Sequence, residues 1–116
     1  MTRLTLIVQE APDGPSPKAG DALRLAGAAL TEELEVRLFL LGAGVELGRR
    51  GRAAPAGGVD PALLAELVEC GLEVQACGKC MRDRGLDEDD LVAGVRRGSM
   101  RSLVAWIKDS EHVIGF

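Results

Sequence analysis

The chain is predicted to fold as a single three-layer α/β/α domain over residues 1–116, built on a mostly parallel five-stranded sheet. Two observations carry this expectation. Short apolar runs alternate with longer segments of helical periodicity in the order β, α, β, α, β, α, β, α, β. That alternation makes the strands run largely parallel, and right-handed crossovers then place helices on both faces. With 116 residues the chain is long enough to bury one core and too short for two.

Leu4, Leu6 and Val8 alternate with Thr5, Ile7 and Gln9, and because Ile7 is also apolar the segment reads as a strand covered on both sides. Glu10 to Pro17 holds three prolines and a glycine and is expected to be the first strand-to-helix loop. From Lys18 to about Thr31, Ala22, Leu23, Leu25, Ala26, Ala29 and Leu30 recur at helical spacing. Glu35 to Leu41 reads as a second strand ending at Gly42, and Ala43 to Arg49 allows two short helical turns. Arg49 to Gly58 is rich in arginine, glycine and small residues and is expected to be a solvated, flexible insertion.

Asp60-Pro61 is a helix start, an acceptor side chain followed by proline at the first helical position, and Leu63, Leu64, Leu67 and Val68 form its buried stripe. Gly71 ends that helix. Leu72 to Ala76 is a short third strand that runs directly into Cys77. Asp87, Glu88, Asp89 and Asp90 are expected in the first turn of a helix continuing through Leu91 and Val92, where the helix dipole favours negative charge. Val95 to Gly98 reads as an edge strand. Ser99 then caps a helix carrying Leu103, Val104, Trp106 and Ile107, and His112 to Phe116 reads as a terminal strand.

Composition narrows the function. Hydrophobic residues make up 47% and charged residues 28%, a globular balance, and no run approaches the roughly 18 apolar residues of a membrane span. The amino terminus enters a strand directly and lacks a signal-type apolar core, so the cytoplasm is the expected compartment, with no membrane partner. A net charge of −4 opposes a broad phosphate-binding surface, and direct nucleic-acid binding is not expected. Neither a Walker-type glycine loop nor Gly-x-Gly-x-x-Gly occurs, and no cofactor is expected.

Three cysteines in a reducing compartment direct attention to thiol chemistry. Cys77 and Cys80 form Cys77-Gly78-Lys79-Cys80 at the carboxyl end of a strand, where open α/β sheets bind their ligands. A thiol reacts as thiolate, favoured by a helix amino terminus and by nearby cations. Gly78 permits a sharp turn into a helix, and Lys79, Arg82 and Arg84 add positive charge close by. Three roles for Cys80 stay open: resolving a persulfide or mixed disulfide on Cys77, acting with it as a dithiol redox pair, or packing under a loop. A non-catalytic binding module with incidental thiols is the competing class of function.

Cys70, beside Gly71 on an apolar helix, is expected in the core, and structural zinc would need it together with His112, which nothing in the spacing brings about. No metal site is therefore expected. His112 is the only histidine and reads as a surface or core residue, and Trp106 reads as core or oligomer contact. Asp13, in the first loop, is a further candidate site residue that turn formation explains equally well.

From Leu4 to Phe116 the chain resembles the DsrE/DsrF-like (TusD/DsrE-related) family of sulfur relay proteins. The likeness rests on Ala11-Pro12-Asp13-Gly14-Pro15, on Phe39-Leu40, on Gly98-Ser99-Met100 and the Trp106 helix, and above all on Cys77 to Leu86 with its Arg84-Gly85. The resemblance implies a five-stranded parallel α/β sandwich assembled as a homo-oligomer, a trimer or hexamer. It also implies that Cys77 accepts persulfide sulfur from a donor protein and passes it to an acceptor protein. The relay subunits have no second cysteine at the position of Cys80.

Overall fold

The computed structural model describes residues 1–53 and 59–116. Five strands, β1 (Arg3–Val8), β2 (Glu35–Leu40), β3 (Glu73–Cys77), β4 (Val95–Gly98) and β5 (His112–Gly115), form one sheet in the order β4-β3-β2-β1-β5. Every pairing is parallel, which sharpens the expectation of a mostly parallel sheet. Among the described residues four α-helices connect them: α1 (Lys18–Thr31), α2 (Pro61–Glu69), α3 (Gly78–Asp83) and α4 (Met100–Lys108).

Strand order fixes the layers. From β1 to β4 the chain steps in one direction, so right-handed crossovers put α1, α2 and α3 on the same face. The return from β4 to β5 crosses to the far side of β1, and α4 must cover the opposite face. The register matches this. Leu4, Leu6 and Val8 pair with Val36, Leu38 and Leu40, so one face is uniformly aliphatic and buried under the face with three helices. The α4 face carries the alternate residues Thr5, Arg37, Phe39 and Gln75.

That second face is held by polar contacts as well as by packing. The Phe39 and Trp106 rings meet edge to face at 6.1 Å, and the Arg37 guanidinium lies over the Trp106 ring at 5.4 Å. Arg37 Nη2 also donates to the Trp106 carbonyl at 3.1 Å and to Ser110 Oγ at 3.0 Å, while Thr5 and Ser110 hydroxyls lie 2.6 Å apart. Trp106 is thus a core residue.

Local signals behave largely as the sequence requires. Asp60 caps α2 by accepting from the Ala62 amide at 2.9 Å, and Ser99 caps α4 by accepting from the Ser102 amide at 3.1 Å. Gly71 ends α2 at φ +109, a backbone conformation that glycine adopts without a Cβ penalty.

Three expectations require correction. The acidic run makes only a 3₁₀ turn, Glu88–Asp90, and Leu91 is extended instead of helical. Tertiary pairing overrides the local signal there: Leu91 bridges Arg49, and the Val92 amide donates to the Gly48 carbonyl at 2.8 Å. The same contacts anchor the start of the expected flexible insertion, since the Arg50 amide donates to the Asp90 carbonyl at 2.7 Å. Residues 54–58 of that segment lie outside the described residues.

Cys70 is exposed where the core was expected. Steps of three residues along a helix fall about 60° short of a full turn, so the Leu64, Leu67, Cys70 series rotates away from the sheet. Leu64 and Leu67 are buried, and Cys70 at the cap of α2 is beyond the buried stripe.

Phe39 is fully buried between the sheet and Trp106. Phe39→Ala is expected to lower unfolding free energy by about 3–5 kcal/mol, read by urea titration, through lost burial and the cavity left behind. A loss under about 1 kcal/mol would show that the α4 face contributes little to stability.

Candidate functional site

β3 passes into α3 with no intervening loop: Cys77 is the last residue of the strand and Gly78 the first of the helix. Cys77 is also the helix cap. With φ −58 and ψ 118 it stays outside the helical region, and its sulfur accepts from the Cys80 amide at 3.4 Å. One helical turn brings Cys80 back over it. The Cys80 thiol then donates to Cys77 Sγ at 2.8 Å, and both cysteines are free thiols.

The two thiols occupy different surroundings. Cys77 is 4% exposed, within the aliphatic core, whereas Cys80 is half-buried. Cys80 Sγ in turn accepts from the Gly42 amide at 3.2 Å. Burial pushes the Cys80 thiol above its ordinary range, and its hydrogen bond to Cys77 adds to this, with the Gly42 amide opposing. Cys77 is thus the sulfur at which two donors, the Cys80 amide and the Cys80 thiol, converge.

Of the basic residues expected around the thiols, Lys79 lies within Coulombic reach of both Cys77 and Cys80. Lys79 Nζ pairs with Asp83 at 2.9 Å along the exposed side of α3, which raises its pKa. Arg82 is exposed and makes no ion pair among the described residues. Arg84 Nη1 reaches Glu46 at 3.4 Å. Asp13 lies with Arg84, Glu46 and Arg52 in the wall of a cavity of about 440 Å³. His112 is exposed on β5, and among the described residues no three His, Cys, Asp or Glu side chains converge to hold a metal.

Two contributors escaped the sequence. Gly42 opens the 3₁₀ segment Gly42–Gly48 at φ +56, which lets its amide turn toward Cys80. Parallel pairing of Leu40 with Ala76 sets the ends of β2 and β3 side by side, so the residues following each strand are neighbours. That rule was available once the strands were assigned. Arg97 was less accessible: its side chain lies across Gly78, where an added Cβ would come 2.5 Å from Arg97 Nε. Gly78 serves close approach, and its φ is not among the positive ones.

Two thiols in hydrogen-bond contact at the carboxyl edge of an all-parallel sheet define a thiol-bearing α/β protein, and the chain belongs to the DsrE/DsrF-like family, whose model matches residues 2–116. An uncharacterized protein of Methanopyrus kandleri is 42% identical over 113 residues, covering 97% of this chain and 93% of that protein. YchN of Escherichia coli is 30% identical over 118 residues, spanning 100% of both. The crystal structure of YchN superposes with a TM-score of 0.90 and full coverage of both chains. A protein of unknown function from Methanobacterium thermoautotrophicum, 21% identical, shares the fold at a TM-score of 0.71 over 98% of this chain and 99% of that one.

Iodoacetamide labelling followed by peptide mass spectrometry should modify exposed Cys70 before Cys80 at neutral pH. The Cys80 rate should climb with pH to a midpoint above the ordinary thiol value of about 8.5, since only its thiolate reacts. Equal rates at Cys70 and Cys80, with an ordinary midpoint, would contradict the shielding described.

Proposed function

We propose that the protein is a sulfur carrier that holds a sulfane sulfur on Cys77 and hands it to a partner, with Cys80 as the resolving thiol. The observation that supports this is the 2.8 Å contact between the two sulfurs, with Cys80 as donor. A persulfide is more acidic than a thiol, and a site that already directs an N–H and an S–H at Cys77 suits an added anionic sulfur. Membership of the DsrE/DsrF-like family supports the same reading.

In the loading step the Cys77 thiolate attacks the terminal sulfur of a donor persulfide. A new S–S bond forms at Cys77, the donor S–S bond breaks, and the donor departs as thiolate. Cys80 turns aside about its χ1 bond to admit the donor. Handover reverses the roles: an acceptor thiolate attacks the terminal sulfur and Cys77 leaves as thiolate. Alternatively the Cys80 thiolate attacks the inner sulfur, expelling hydrosulfide and leaving a Cys77–Cys80 disulfide, which an external dithiol then reduces. A carrier of this kind needs donor and acceptor proteins as partners.

The same contact also favours a second reading, a dithiol oxidoreductase, which would reduce insulin at the expense of a dithiol without carrying extra sulfur. Self-assembly fits either one. Met100, Val104 and Ile107 recur at helical spacing on α4 and are exposed, with Met100 at 57% and Val104 at 52%. Val113 on edge strand β5, in register with Thr5 on the α4 side of the sheet, is exposed as well. A homo-oligomer would cover these residues, and light scattering of the purified protein should give a mass that is a multiple of the chain.

Incubation with a cysteine desulfurase and cysteine, followed by trypsin, separates the thiols, because cleavage after Lys79 falls between them. The Cys77 peptide should gain the mass of one sulfur atom, Cys77→Ser should abolish the gain, and Cys80→Ser should keep it while losing the internal disulfide. An unmodified Cys77 peptide under conditions that load a known carrier would refute the proposal.

A further inference from the structure

Gly78 is buried although it opens the first turn of α3, and the side chain of Arg97 lies over it. A Cβ at position 78 would come 2.5 Å from Arg97 Nε and 3.2 Å from both Cγ and Cζ, so the arginine lies along the glycine from its aliphatic stem to its guanidinium. Backbone freedom does not explain the glycine, since its φ is not among the positive ones. Register fixes the placement: Arg97 on edge strand β4 stands opposite Ala76, one residue before the buried thiol, and so leaves the sheet on the α3 side.

This cation differs from the others around the thiols. Lys79 is held by Asp83 and Arg84 by Glu46, whereas Arg97 is exposed and makes no hydrogen bond or ion pair among the described residues. Its contacts with Gly78 put the guanidinium carbon within about 9 Å of the Cys77 Cα, consecutive Cα atoms being about 3.8 Å apart. That interval is the length of a small molecule. A free guanidinium there offers parallel N–H groups that match the two oxygens of a carboxylate.

We propose that Arg97 anchors the carboxylate of a small organic persulfide while the outer sulfur of that donor passes to Cys77. This rests on the sulfur-carrier reading and names a class of donor, a low-molecular-weight persulfide with a carboxylate a few bonds from its sulfur. The Cys77 thiolate attacks the outer sulfur of R–S–SH. A new S–S bond forms at Cys77, the donor S–S bond breaks, and its electron pair leaves on R–S⁻. The proton stays on the transferred sulfur, and no oxidant or reductant is consumed.

The test loads the full chain with N-acetylcysteine persulfide or with the persulfide of its methyl ester, donors that differ in the carboxylate, and follows added sulfur on the Cys77 peptide by quenched mass spectrometry. The acid should reach half-saturation at a concentration about threefold to fivefold below that of the ester, the worth of one exposed ion pair. Arg97→Gln should erase this preference, and so should Gly78→Ala, whose methyl group displaces the arginine. Equal loading by acid and ester in the unaltered protein overturns the proposal, even if Arg97→Gln fails to fold, and leaves the carrier reading standing. A preference kept in Arg97→Gln overturns it too. Loading by a cysteine desulfurase but by neither small donor removes this proposal alone, and a Cys77 that no donor loads removes both.

Discussion

Cys77 ends β3 and caps α3 at once, and the parallel register of the sheet determines what can stand around it. Since β2 and β3 run side by side in the same direction, their carboxyl ends open on a common edge. The amide after one strand therefore meets the thiol one turn after the other, which is how Gly42 comes to donate to Cys80. On the opposite side Cys77 is in register with Gly98 of β4, whose neighbour Arg97 lies over Gly78. Moving the register by one residue would dissolve this arrangement, because alternate residues face opposite sides of a sheet.

Such placement limits the chemistry to the pair. A cysteine that is 4% exposed reacts with little on its own, and its reach to solvent depends on the half-buried partner 2.8 Å away. Of the nearby cations, Lys79 is paired with Asp83 while lying within Coulombic reach of both thiols, and Arg84 turns to Glu46. Exposed pairs of this sort contribute little energy across solvent. What distinguishes Cys77 is the convergence of the Cys80 amide and thiol, and it is the helical turn from Gly78 to Cys80 that creates both contacts.

Much of the fold was legible because its signals are local and redundant. The strand entering Cys77, the Asp60 and Ser99 caps and the Lys18–Thr31 helix each follow from a few neighbouring residues. The parallel sheet followed from their order. Where a distant partner decides, the sequence misled: Leu91 and Val92 carry an acidic helix start before them, yet they are captured by Arg49 and Gly48. Cys70 was misplaced because composition says that cysteines prefer the interior, while helical rotation carries this one outward. The thiol pair itself could be read from its spacing, but the exposure of each sulfur, the Gly42 donor and the direction of Lys79 and Arg84 are properties of the folded edge.

The coupling between the two sulfurs is open to direct measurement by following the Cys80 13Cβ resonance against pH in the unaltered protein and in Cys77→Ala. With Cys77 present, Cys80 should titrate above the ordinary thiol range, and removal of Cys77 should move it back toward that range, leaving only the part due to burial. A Cys80 titration unchanged by Cys77→Ala would mean that the two sulfurs do not act as a unit.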